Sequence, residues 1–221
     1  MSHRRFTRDL QREIERYRFA RWDLLSAQFP EEDFHTVGKR LIKRRQIRIH
    51  SHVSGLEYAL IPRRKAPSAA SIIRSLTIHT AFHTTAGSRQ LLMQADFRRY
   101  FPTVFQHGLP QRYYVDLCGD RPTLGHVRVD IEPEPIRHLL DRIQRLICRH
   151  HELCGFRSLI ASHQFEITIL VATAAKSRIL QRAMESFSHS GVRLLAQHVP
   201  VLLDLLAPLS GEHSTSTFRH T

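Results

Sequence analysis

Apolar residues recur at helical spacing at Leu10, Ile14 and Tyr17, which predicts a helix through RDLQREIERYR with Thr7 as its cap. The stretch ARWDLLSAQF, residues 20–29, reads as a second, short helix stopped by Pro30. A third helix starts with Glu31, Glu32 and Asp33, acids that suit a helix N-terminus, and runs to about Arg45. Its apolar face is Phe34, Val37, Leu41 and Ile42, and its other face carries His35, Thr36, Lys39, Arg40 and Lys43. The period then falls to two. Ile47 and Ile49 alternate with polar residues, Ser54-Gly55 turns the chain, and Leu56, Tyr58 and Leu60 alternate back. Three helices and a hairpin result.

Residues 62–71, rich in Pro, Ser and Ala, read as a linker between two patterned regions. Beyond it the pattern predicts a helix at 72–84 and strands at 89–95, 113–119 and 124–132. The stripe Ile136, Leu139, Leu140, Ile143 and Ile147 marks an amphipathic helix, and GFRSLIASH another helical turn. FEITILVAT, 165–173, is a continuous β-rich run of the kind buried on both faces. A helix (AAKSRILQRAMESF), a last strand (RLLAQHV) and a last helix (VLLDLLAP) close the order α-β-β-β-α-β-α-β. The organisation read from this is 1–65, 72–209 and a flexible polar tail at 210–221.

Charge sharpens the picture. Lys+Arg number 33 against 20 Asp+Glu, a net +13 in 221 residues. The excess concentrates in residues 1–65, which carry +8. Such a balance points to a polyanion, nucleic acid before membrane. All but four of the basic residues are Arg, which forks onto phosphates and guanine edges. Three cysteines form no disulfide framework and fit a reducing cytoplasm. The start of the chain has no secretory h-region and no apolar run is long enough for a membrane span. No nucleotide-binding glycine loop and no GxSxG elbow occur.

Helix, helix, helix and a two-stranded wing is the order of a winged helix-turn-helix. Its third helix would enter a major groove with His35, Thr36, Lys39, Arg40, Lys43 and Arg44, and its wing would follow the backbone or the minor groove with Arg48, His50 and His52. A winged helix used for protein interaction is the alternative. In the second region, YVD at 114–116, VRVDIEP at 127–133 and ILVATAAKSRILQRAM at 169–184 fall in an order that resembles the PD-(D/E)xK nuclease-like α-β-β-β-α-β core. Joined to a winged helix, it resembles the replication-relaxation family of plasmids and integrative elements. That resemblance implies an α/β, two-domain protein of a mobile element, acting as a regulator or as a replication or mobilisation accessory. The implied partners are double-stranded DNA, other proteins of the element and a second copy of the chain, with no membrane.

A nuclease of that fold holds Mg²⁺ between two carboxylates on adjacent strands. Asp116 and Asp130 are the candidates, with Glu132 where the resemblance expects Lys. Val115 replaces the expected Pro and Arg128 the expected Glu. Arg128 shares a strand face with Asp130, so an Arg128–Asp130 pair is expected to hold the strand end and repel the metal. The sequence therefore favours a core that does not cleave and holds no cofactor, with a Mg²⁺-dependent nuclease and a protein-interaction scaffold as rivals. Cys148, His150, His151 and Cys154 lack metal-site spacing; a buried Cys148 and solvated histidines are expected there.

Overall fold

A computed structural model describes residues 3–29, 31–62, 66–84, 88–105, 112–132, 134–185 and 191–211. It is mixed α/β, with two sheets, and the chain groups into two units: residues 1–80 with 200–221, and residues 81–199. This division differs from the expected boundary at 62–71. The polar tail beyond residue 211 lies outside the described residues. No helix among the described residues is long and apolar enough to cross a membrane.

The first unit begins with α1 (His3–Tyr17), β1 (Phe19–Arg21), α2 (Trp22–Gln28) and α3 (Glu31–Lys43). It continues with β2 (Arg48–Ser51) and β3 (Glu57–Leu60). α1 starts before the expected cap, so Thr7 lies inside the helix and Phe6 joins Leu10, Ile14 and Tyr17 in the core. The expected helix over 20–29 loses its first turn to β1, which pairs antiparallel with β3 in the order β1-β3-β2. Ala20 faces Ala59 in that pairing and both are fully buried. Sheet pairing and burial override a helical reading of so short a stretch. Phe34, Val37 and Leu41 of α3 point into the core as expected, but Ile42 is 40% exposed. Trp22 lies 4.5 Å from Phe34 and also against Gly38, where a Cβ would meet its ring at 3.0 Å. α3 ends in a Schellman motif: Gln46 N–H donates to Leu41 O and Arg45 N–H to Ile42 O, with Arg45 at φ 56°.

α4 (Ala69–Thr84) starts inside the expected linker. It is buried on all sides from Leu76 to Phe82, which explains its lack of a clear stripe. Its residues to Thr80 group with the first unit because His79 Nδ1 accepts from Arg21 N–H and Arg21 donates to Thr80 Oγ1. α9 (Val201–Gly211), with Leu202 and Leu205 buried, groups there too.

The second unit holds β4 (Arg89–Leu91), α5 (Gln94–Tyr100), β5 (Tyr113–Asp116), β6 (Thr123–Val129), α6 (Ile136–Glu152) and α7 (Cys154–Ala161). β7 (Phe165–Val171), α8 (Ala174–Glu185) and β8 (Val192–His198) complete it. The sheet order is β4-β5-β6-β7-β8, antiparallel up to β6 and parallel after it. The stretch read as one strand, 89–95, breaks after Leu91 because Asp96 folds back to accept from Met93 N–H and starts α5. β7 is buried along its whole length, as its apolar run predicted. Leu139, Ile143 and Ile147 of α6 pack with Phe156, Ile167 and Leu180 on one sheet face. On the other face the Tyr114 ring lies flat over Gly125, its partner across the hairpin, where a Cβ would sit 2.0 Å from the ring. No other residue fits there.

Candidate functional site

On α3 the buried triplet Phe34, Val37 and Leu41 fixes the helix's rotation. His35, Thr36, Lys39, Arg40, Lys43 and Arg44 are thereby exposed together. Positions 36, 39, 40 and 43 follow helical spacing and form one outer face. Lys39, Arg40, Lys43, Arg44, Arg45 and Arg48 make no ion pair among the described residues, so their charge is directed at solvent. Arg48 and His50 stand on one face of β2, opposite Leu60 and Tyr58, and the His50 and Tyr58 rings stack at 5.9 Å. His52 is placed differently: it is half-buried in the turn, accepts from Ser54 N–H at Nδ1, and burial pulls its pKa down. The hairpin reverses through Gly55 at φ 84°.

The two candidate carboxylates of the second unit do not meet. β5 and β6 form an antiparallel hairpin in which Asp116 pairs with Thr123, next to the turn. Asp130 comes seven residues after Thr123, at the opposite end of the sheet. At about 3.3 Å per residue the two are on the order of 23 Å apart. They cannot share one ion.

Each has its own cation. Arg89 Nε donates to Asp116 Oδ2 at 2.8 Å, and Arg89 Nη2 lies 3.2 Å from Glu166. Burial works against the Asp116 charge, but Arg89 and the Cys118 N–H outweigh it and hold the carboxyl below its usual range. Tyr114 donates its hydroxyl to Glu166 and lies 2.6 Å from Thr168 Oγ1. Burial, then the Glu166 charge, push the Tyr114 hydroxyl far up. Glu166 is only 1% exposed. Its partners make this a buried, satisfied network.

Asp130 pairs with Lys176 at 2.6 Å, and Lys176 also donates to Glu134 O at 3.0 Å. The expected Arg128–Asp130 pair does not form: Arg128 donates to Glu134 Oε1 at 2.9 Å, with Arg142 at 3.3 Å from its other oxygen. The turn into α6 brings Glu134 back over Arg128, while the start of α8 delivers Lys176 to the carboxyl end of β6. Glu132 is exposed. Asp130 Oδ1 is buried without a hydrogen-bond partner among the described residues. Lys176 was not singled out by the sequence. It stands in the first turn of a helix, where the dipole disfavours a cation, and that misplacement signalled a carboxylate partner. Glu166, the one charged residue of the buried strand β7, carried a similar signal.

The histidine and cysteine cluster also differs from expectation. All three cysteines are exposed, Cys148 included, while His150 is 4% exposed. Position 150 continues the Ile143–Ile147 stripe and position 148 does not. His150 Nδ1 sits 2.6 Å from Leu146 O, which accepts only, so Nδ1 carries the proton. Nε2 then accepts from Tyr113 OH at 2.7 Å. Both nitrogens are committed to the fold.

Comparison of the chain with protein-family models, with curated proteins and with solved structures gives no match in any of the three.

Proposed function

We propose that the first unit binds duplex DNA as a winged helix-turn-helix, with α3 in the major groove and the β2–β3 hairpin as its wing. The observation that carries this reading is the set of exposed cations on α3 and at its end, Lys39, Arg40, Lys43 and Arg44, which no acid among the described residues neutralises. A cationic helix face beside hydrogen-bonding His35 and Thr36 suits phosphates and base edges together. The second unit is read as a PD-(D/E)xK-like core, a reading supported by its mixed sheet, with α5 inserted between β4 and β5. Its carboxylates stand at opposite ends of the sheet, each on a cation, so the reading is of a core that does not cleave. The role as regulator or as replication or mobilisation accessory of a mobile element rests on resemblance in element order alone.

The test is binding of a labelled duplex across a salt series by the wild type and by Lys39→Ala/Arg40→Ala/Lys43→Ala. Each lost phosphate contact lowers the log–log salt slope by about 0.9. The triple variant is expected to lose up to about 2.7 in slope. An unchanged slope refutes α3 as the contact. Supercoiled plasmid with Mg²⁺ or Mn²⁺ is expected to stay intact; nicking that disappears in Asp130→Ala refutes the non-cleaving reading.

A further inference from the structure

The helix-covered face of the second unit contains a cleft of about 510 Å³ between β6 and α6. Five arginines line it: Arg112, Arg128, Arg142, Arg145 and Arg149. No carboxylate lines it among the described residues. Glu134 takes up Arg128 and Arg142. Arg145 and Arg149 donate Nε only to the main-chain carbonyls of Asp141 and Arg145, at 3.3 Å each, and Arg112 has no ion pair among the described residues. Three of the five guanidiniums sit at 142, 145 and 149, one face of α6. Asp130, the residue after β6, is taken up by Lys176.

A second observation comes from the floor. His126 and Arg128 are two apart on β6 and so project from the same face. His126 is 6% exposed, lines the cleft, and its Nδ1 has no hydrogen-bond partner among the described residues; Arg128 Nε is likewise buried and without a partner among them. Both atoms belong to residues that line the cleft, and a buried polar atom without a partner is costly. The local field has the matching sign. Burial, then His150, Arg112 and Arg128, push the His126 pKa down to about 3.

We propose that this cleft binds a phosphate dianion, free or as the terminal group of a small phosphorylated molecule. Guanidinium forks match phosphate oxygens in pairs, and the His126 imidazole lies among the arginines that line the cleft. The volume suits a phosphate with a small organic group. The cleft uses none of the α3 cations, so failure of this proposal leaves the DNA reading standing, and the reverse.

The test is calorimetric titration of the full chain, in phosphate-free buffer, with inorganic phosphate, with adenosine 5′-monophosphate, and with adenosine. Phosphate and the monophosphate are expected to bind one per chain and adenosine not at all. Monophosphate tighter than phosphate assigns the organic group to the cleft; equal affinity assigns free phosphate. Arg145→Gln/Arg149→Gln changes two exposed side chains and is expected to weaken binding at least about tenfold, as two charge-assisted bonds are lost. Arg178→Gln, on exposed α8 surface, is the control and is expected to bind as the wild type does. The His126 ring resonances are expected to move on phosphate addition in the wild type. Absence of binding at millimolar phosphate, or equal binding by the double variant, overturns the proposal.

Discussion

His126 makes the second unit's stability depend on pH in a defined window. Its ring is neutral in the folded chain because burial and the neighbouring cations lower its pKa to about 3 from 6.5. The unfolded chain protonates it near 6.5. Below that value the unfolded state binds more protons, so stability is full above pH 6.5 and falls as the pH drops towards 3. Between pH 7 and pH 5 the loss from this one group is about 2 kcal/mol. His150, whose pKa burial also lowers, acts in the same direction. Asp116 does not contribute in this window: its carboxyl is held low, and the stability it adds is lost only as the pH falls through the acid range. The assay is urea unfolding at both pH values, at fixed ionic strength and without phosphate. Far-UV circular dichroism is the readout, because the single tryptophan, Trp22, lies in the first unit. His126→Gln is expected to show a pH 7 to pH 5 change about 2 kcal/mol smaller than the wild type. Equal changes in the two proteins would refute the account of a neutral buried ring.

Other substitutions probe the same unit. Gly125→Ala drives a methyl into the Tyr114 ring, with contacts from 2.0 Å, and is expected to cost about 1–3 kcal/mol in denaturant unfolding. Arg89→Met leaves Glu166 and Asp116 without their shared cation. It is expected to cost about 3–5 kcal/mol, with part of the loss recovered in Arg89→Met/Glu166→Gln, read by thermal unfolding. Tyr113→Phe leaves His150 Nε2 as a buried acceptor with no donor and is expected to cost about 1–3 kcal/mol by the same measurement.

The amphipathic stripe of α6, the apolar run of β7 and the alternation of the β2–β3 hairpin were legible because each is a local consequence of side-chain period. The outer face of α3 was legible too, since three buried positions fix a helix's rotation. β1 was not: three residues carry no period, and only pairing with β3 makes them a strand. The grouping of α4 and α9 was decided by long-range burial and hydrogen bonds rather than by composition near residue 65. The separation of Asp116 from Asp130 was within reach of the sequence. Two strands joined by a short antiparallel turn pair residues equidistant from that turn, so Asp116 had to meet Thr123.

The sequence by itself determined the alternation of elements, the helix and strand faces that turn inward, and the concentration of charge in the first 65 residues. These follow from backbone period and from the cost of burying charge. Which charge answers which was decided by tertiary structure. Lys176 reaches Asp130 across 46 positions, Arg89 reaches Asp116 and Glu166 from an edge strand, and five arginines from a turn, a strand and a helix line one cleft with His126. Those partners are set by sheet order and crossover, which bring together residues that no sequence spacing relates.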